Sequence, residues 1–177
     1  SSAASDLNAI NIATTGVVIV NSTTITGSAA DVAAVYAAQG FTISGLGNEA
    51  VTISGASSAA SDLNAINIAT TGVVTVNSTT ITGFAADVAK AYVADIAGSI
   101  TGLGDEAVTV YGAFSAASDL NTINALTTGV ITITSTNITG SSTDVAAVYA
   151  ANGAAEGVAG LGNEAVTITD TTITASS

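Results

Sequence analysis

The residues best placed to do chemistry in this 177-residue chain are carboxylates that recur at fixed places. Asp6, Asp62 and Asp119 follow one another at intervals of 56 and 57 residues, as do Asp31, Asp87 and Asp144. Glu49, Glu106 and Glu164 form a third series. If equivalent positions stack, these like charges repel unless they cap helices, face water or share cations. An aspartate just ahead of a short apolar run suits a helix start, where free backbone N–H groups and the helix dipole favour a negative charge. Calcium is the competing reading, because it takes hard oxygen ligands; all nine residues are then candidate ligands. The glycine-rich calcium nonapeptide and the EF-hand loop are both absent from the sequence. No other cofactor is expected.

Catalysis has little to work with. The chain has no His and no Cys, so Ser and Thr hydroxyls have only carboxylates as bases. The single basic residue, Lys90, has Ala34 and Ala147 at its equivalent positions. Asp105-Glu106 is a carboxylate pair, but Asn48-Glu49 and Asn163-Glu164 stand in its place elsewhere, which marks turn variation. No enzymatic role is expected. The Gly-Leu-Gly motifs at 45–47, 102–104 and 160–162 resemble phosphate cradles only superficially, since an acidic residue rather than a cation follows and a strand rather than a helix comes next. Threonines at alternate positions (Thr24/Thr26, Thr80/Thr82, Thr167/Thr169, with Thr52/Ser54 close to it) would line one face of a sheet, a surface of the kind that ice-binding proteins use; Tyr111 and Asn137 interrupt it. Asn21, Asn77 and Asn137 begin N-x-[ST] sequons.

Composition fixes the partners that are excluded. Thirteen carboxylates face one lysine, a net charge of −12, yet only 8% of residues are charged and 48% are hydrophobic. Phosphate backbones need Lys and Arg to neutralise them, so nucleic acid is excluded, and anionic lipid is disfavoured for the same reason. No apolar run is long enough to span a bilayer. Hydrophobicity this high with so few charges also argues against disorder. Without cysteine no disulfide forms and the redox compartment is not legible. The absence of Met from a chain that starts at Ser1 predicts a removed initiator or leader, or excision from a longer polypeptide.

Positioning the carboxylates is the work of a repeat. Segments 2–27, 58–83 and 115–140 are nearly identical, and 28–55, 84–112 and 141–170 share a second plan. Three units result, 1–56, 57–114 and 115–177, each of about 57 residues. The halves of each unit echo one another, which suggests about six coils of roughly 28 residues. Leu7 and Ile10 lie three apart on one helical face, as do Val32 and Val35 with Tyr36 beside them. Ser28 and Asp31 have the spacing of a capping box. Gly16 and Gly40 stop these helices after two to three turns, too short to be stable without packing. Val17–Val20, Val73–Val76 and Val130–Ile133 are β-branched and predict strands. Second strands follow at 24–26, 51–53 and 80–82, with Ile25, Ile53 and Ile81 inward and the threonines outward.

Such a strand–turn–strand–helix coil cannot bury its apolar face alone, whereas stacked copies bury each other's. The expected fold is an α/β solenoid, a β-rich stack with Leu7, Leu63 and Leu120 in one buried stripe and Ile10, Ile66 and Ile123 beside it. Its difficulty is that paired strands lie about 4.8 Å apart and packed helices about 8–10 Å. Three small α+β domains on a string are the alternative.

The segments DLNAINIATTGVV, TTITGSAADVAAVYAA and GLGNEAVTISG resemble repeat tracts in very large cell-surface proteins of cyanobacteria and related marine bacteria, which are often labelled hemolysin-type or calcium-binding because of separate modules. The resemblance implies a secreted, surface-associated, structural or adhesive role and no catalytic residues. The expected function is therefore a non-enzymatic subunit or segment of an extracellular filament, surface layer or adhesin stalk. Its partners would be homotypic neighbours meeting at open ends, where Thr172-Ile173-Thr174 repeats Thr24-Ile25-Thr26. The alternative is an adhesive or ice-binding module. A glycan partner then lacks an obvious aromatic cluster, since Tyr36, Tyr92 and Tyr149 recur beside helix core positions.

Overall fold

The computed structural model describes residues 1–155 and 157–171; Thr172-Ile173-Thr174 lies outside them. Among the described residues there are six short helices, α1 Ala4–Ala13, α2 Ala29–Ala37, α3 Ala60–Ala69, α4 Ala85–Ile96, α5 Ala117–Leu126 and α6 Ser142–Ala150. Fifteen short strands flank and separate them. The first unit supplies β1 Ser2–Ala3, β2 Val18–Ile19, β3 Thr24–Gly27, β4 Ile43–Ser44 and β5 Ala50–Ile53. The second supplies β6 Ser57–Ala59, β7 Val74–Val76, β8 Thr80–Gly83, β9 Ile100–Thr101 and β10 Ala107–Val110. The third supplies β11 Ser115–Ala116, β12 Ile131–Ile133, β13 Asn137–Gly140, β14 Val158–Ala159 and β15 Ala165–Ile168.

All named strand pairs are parallel, and every partner comes from the next turn of the chain. One sheet runs β1-β3-β5-β7-β9, a second β6-β8-β10-β12-β14, a third β11-β13-β15, and β2 pairs with β4. Each helix packs on the next one in the sequence, from α1 on α2 to α5 on α6. The result is an α/β fold in which parallel sheets alternate with helices in a repeat-like arrangement.

The two halves of a unit are less alike than their sequences. Register steps alternate, 23 residues from Ile25 back to Ser2 and 26 from Ile25 on to Val51. The chain passes from strand to strand with no helix between at β2–β3, β4–β5 and β5–β6, and again at β7–β8, β9–β10 and β10–β11. Of the strands reached in this way, β6 and β11 begin new sheets. Those short Ser-Ala strands were not expected, because Ser and Ala carry almost no strand propensity; pairing with β3, β8 and β13 makes them strands.

Burial follows the alternation expected of the strands. Ile25, Ile53 and Ile81 are completely buried and the flanking Thr24, Thr26, Thr52, Thr80 and Thr82 are half-buried. Leu7, Leu63 and Leu120 form the expected buried stripe. Its companion does not hold throughout: Ile66 and Ile123 are 0% exposed, but Ile10 is 51% exposed. Helix α1 has a helical neighbour on one side only, α2, whereas α3 packs on α2 and α4.

Candidate functional site

The aspartates divide by half-unit. Ser28 Oγ accepts from Asp31 N–H at 3.1 Å and donates to Asp31 Oδ2 at 2.7 Å, and Ser141 with Asp144 repeats both bonds. Ser28 and Ser141 are N-caps with Asp at the capping-box position, but the carboxylate takes the serine hydroxyl rather than the N-cap backbone N–H. Asp87 has Phe84 as its helix cap, which makes no side-chain cap bond. Asp6, Asp62 and Asp119 do not cap either. They lie in the first turn of helices capped by Ala3, Ala59 and Ala116, where the dipole still favours them. Among the described residues no three acidic side chains come together.

Glu49 and Glu106 are buried, and the structure gives them a specific task. Glu49 Oε2 accepts from Tyr36 Oη at 3.0 Å and from Gly47 N–H at 2.8 Å. Glu106 accepts from Tyr92 Oη at 3.2 Å and Gly104 N–H at 2.8 Å. Glu164 repeats the pattern with Tyr149 and Gly162 N–H. In each loop the chain's own carboxylate therefore fills the N–H cradle that a phosphate would need. The next coil closes the arrangement, with Thr70 Oγ1 donating to the Glu49 carbonyl at 2.8 Å and Thr127 Oγ1 to the Gly104 carbonyl at 3.2 Å.

Titration shifts follow from this geometry. Burial, the largest cause, together with the adjacent Glu49 carboxylate pushes the Tyr36 phenol up from 10.0 to about 12. Tyr149 is raised to about 12 by burial and Glu164, and Tyr92 is raised as well, by burial first and Glu106 second among the raising causes. At Glu164 burial acts to raise the carboxyl, but bonds from Tyr149 and backbone N–H groups outweigh it and hold it below the usual range.

The Gly-Leu-Gly motif has a packing role. Gly45 adopts φ 89°, and a Cβ there would run into the carbonyl of Val20; Gly102 meets Val76 and Gly160 meets Ile133 in the same way. Shallow clefts of about 290 and 300 Å³ recur beside this motif, one against Asn21-Ser22-Thr23 and one against Ser135 and Thr136. Their recurrence follows from the repeat.

Two ladders escaped sequence reasoning. Asn8, Asn64 and Asn121 each donate from Nδ2 to the carbonyl of Asp31, Asp87 or Asp144, at 3.0, 2.9 and 3.1 Å, tying successive helices. Ser58 pairs with Ser78, and Ser115 with Ser135, at 2.6 Å; Ser2 with Ser22 is the third such pair. Their common separations, 23 and 20 residues, were visible in the repeats, but which residues meet depends on the coil register.

Threonines line up across the sheets, Thr26 with Thr52, Thr75 and Thr101, and Thr82 with Thr109 and Thr132. An aromatic cluster also exists, contrary to expectation. The Phe84 and Tyr111 rings meet edge to face at 5.2 Å, and both are exposed, as is Phe114 nearby in sequence. The overlooked signal was substitution within the repeat: Ser28, Ser54 and Ser57 occupy these places in the first unit.

Lys90 is exposed on α4, and no described helix is long and apolar enough to cross a membrane. No family model, curated protein or solved structure matches the chain.

Proposed function

We propose that this chain is a non-enzymatic structural protein, a solenoid subunit or segment of an extracellular filament, surface layer or adhesin stalk, whose units associate head to tail. One observation carries the reading: positions sealed in the interior lie open at both ends of the described stack. Ile10 is 51% exposed where Ile66 and Ile123 are sealed. Val166 and Ile168 are 44% and 38% exposed where Val51 and Ile53 are at most 1%. Among the described residues β1, β2 and β15 each have one ladder partner, as do β4, β6, β9, β11 and β14 at the other sheet edges. Open parallel edges with unsatisfied apolar rows are templates for further strands. A further repeat or a second copy of this chain supplies what the interior coils supply to one another. Extracellular placement rests on the resemblance to cell-surface repeat tracts.

Sedimentation velocity over a concentration series, with negative-stain electron microscopy, tests this. Elongated oligomers growing with concentration are expected, and Ile10→Asp or Val166→Asp should suppress them. A strictly monomeric wild type at high concentration overturns the assembly.

The in-register threonines favour one second reading, an ice-binding face. Thermal hysteresis and inhibition of ice recrystallisation would both be seen if it holds, and the absence of both removes it.

A further inference from the structure

The outward face of the second sheet carries Ala159 where its copy in the first has Thr101, Thr134 where it has Asn77, and aromatic rings where it has serines. Because Ile81, Val108 and Ile131 are buried, their neighbours Thr82, Thr109 and Thr132 point outward in one register row. Two residues further along β8 and β10 the outward places hold Phe84 and Tyr111. Tyr111 N–H bonds the Gly83 carbonyl and Thr134 N–H the Val110 carbonyl, so Phe84, Tyr111 and Thr134 continue the same ladder. In the first sheet the aromatic places hold Ser28 and Ser54.

The ring pair is seated rather than loose. Gly112, at φ 119°, leaves room that Phe84 fills: a Cβ there would come within 2.8 Å of the ring. Tyr111 closes the other side edge to face. Both rings are nonetheless 40% exposed or more. The substitution also removes a helix cap, because Ser28 and Ser141 cap their helices and Phe84 makes no cap bond. A position that gives up a cap to expose an aromatic ring needs a reason outside local stability.

We infer that Phe84 and Tyr111, with the hydroxyl row of Thr82, Thr109, Thr132 and Thr134 beside them, form a binding surface for a neutral polysaccharide. The C–H face of a pyranose carries partial positive charge and packs on the negative face of an aromatic ring. Its hydroxyl rim needs donors and acceptors at the edge of that platform, and the threonines supply them. None of these six side chains is charged, and the chain carries −12 with one lysine. A polyanion is repelled and a neutral polymer is not. A protein partner would want a broad apolar centre, on the order of 800 Å² per side, whereas this surface is two rings among hydroxyls.

Native affinity electrophoresis in gels cast with neutral polysaccharide tests the surface: hydroxyethyl cellulose, laminarin and galactomannan, against anionic alginate. Retardation in at least one neutral gel and none in alginate is expected. The double variant Phe84→Ser/Tyr111→Ser installs the first unit's residues and restores a cap, so it should fold with an unchanged or raised melting temperature. It should weaken retardation about tenfold or more. Unaltered mobility of the wild type in every neutral gel overturns the proposal, and so does retardation that the double variant retains. Loss of a wild-type dimer in the variant, without any retardation to lose, would assign the patch to self-association instead and equally overturn it.

Discussion

Helices α1 and α3 have the same ten residues, ASDLNAINIA, and different environments. In α3, Leu63 and Ile66 are completely sealed and Asn64 is 5% exposed. In α1 the same isoleucine, Ile10, stands half in water. Nothing local distinguishes them, since both start at an uncapped alanine and end at a threonine in extended conformation. The difference is in the neighbours: among the described residues α1 packs on α2 alone, whereas α3 packs on α2 and α4. Burial of identical residues here follows from which helices lie alongside.

The largest test of the comparison is the paired substitution Ile66→Ala and Ile10→Ala. The first empties a sealed site and should lower unfolding free energy by about 2–5 kcal/mol. The second acts on a side chain that is half in water and should change it by about 1 kcal/mol or less. Equal effects in urea denaturation would mean that α1 is covered as α3 is.

Glycine gives the same contrast through the backbone. A Cβ on Gly72 or Gly129 would overlap the Glu49 or Glu106 carbonyl of the preceding turn, while at Gly16 its nearest neighbour is Thr14 Oγ1 at 3.6 Å. Gly72→Ala should destabilise by about 1–3 kcal/mol from overpacking, and Gly16→Ala should be tolerated, both read from denaturation midpoints.

Among the loop carboxylates, Glu106→Ala removes a buried acceptor of two bonds and leaves the Tyr92 hydroxyl and the Gly104 N–H without it. A loss of about 1–3 kcal/mol is expected. Glu164→Ala, in the more open last unit, should lose less. Thermal melts of the two variants side by side decide the order.

Alkali probes the phenols that these carboxylates hold. An unfolded chain ionises Tyr near 10.0, and folded Tyr36 does so near 12. The folded state therefore keeps a proton that the unfolded state has lost. The stabilisation is fully present below pH 10 and disappears as pH rises through about 12. Midpoints measured from pH 9 upward should fall in that window, and Tyr36→Phe should flatten part of the decline.

The smallest effect belongs to the outward face. Thr82→Ser should change stability by no more than about 0.5–1 kcal/mol. A larger loss than that of Ile66→Ala would place the threonine row inside the packing.

Much of this architecture was legible because the repeat samples each position several times. Leu7, Leu63 and Leu120 announced a buried stripe, and Ser28 with Asp31 announced a helix N-cap. Asp6, Asp62 and Asp119 were less well read, because the helix begins three residues earlier than an aspartate cap requires and alanine takes the cap position. The Tyr36–Glu49 bond was hidden by its span of 13 residues, and the fold must set the distance. The aromatic patch was hidden by the opposite problem: it departs from the repeat, and a pattern search attends to what recurs.

By itself the sequence determined the alphabet of each coil, its helices and strands, and which side chains face inward, since these depend on periods of two and of about 3.6 residues within a short segment. Tertiary structure alone decided that Ser-Ala segments become strands, that these strands stand at the edges of the three longer sheets, and that the loop glutamates are closed off by the next turn of the chain. It also decided that identical isoleucines are sealed in one coil and wet in another. Each of these depends on which turn of the chain lies alongside, and a residue's neighbours in a stack are set by register between coils, about 23 to 28 residues away.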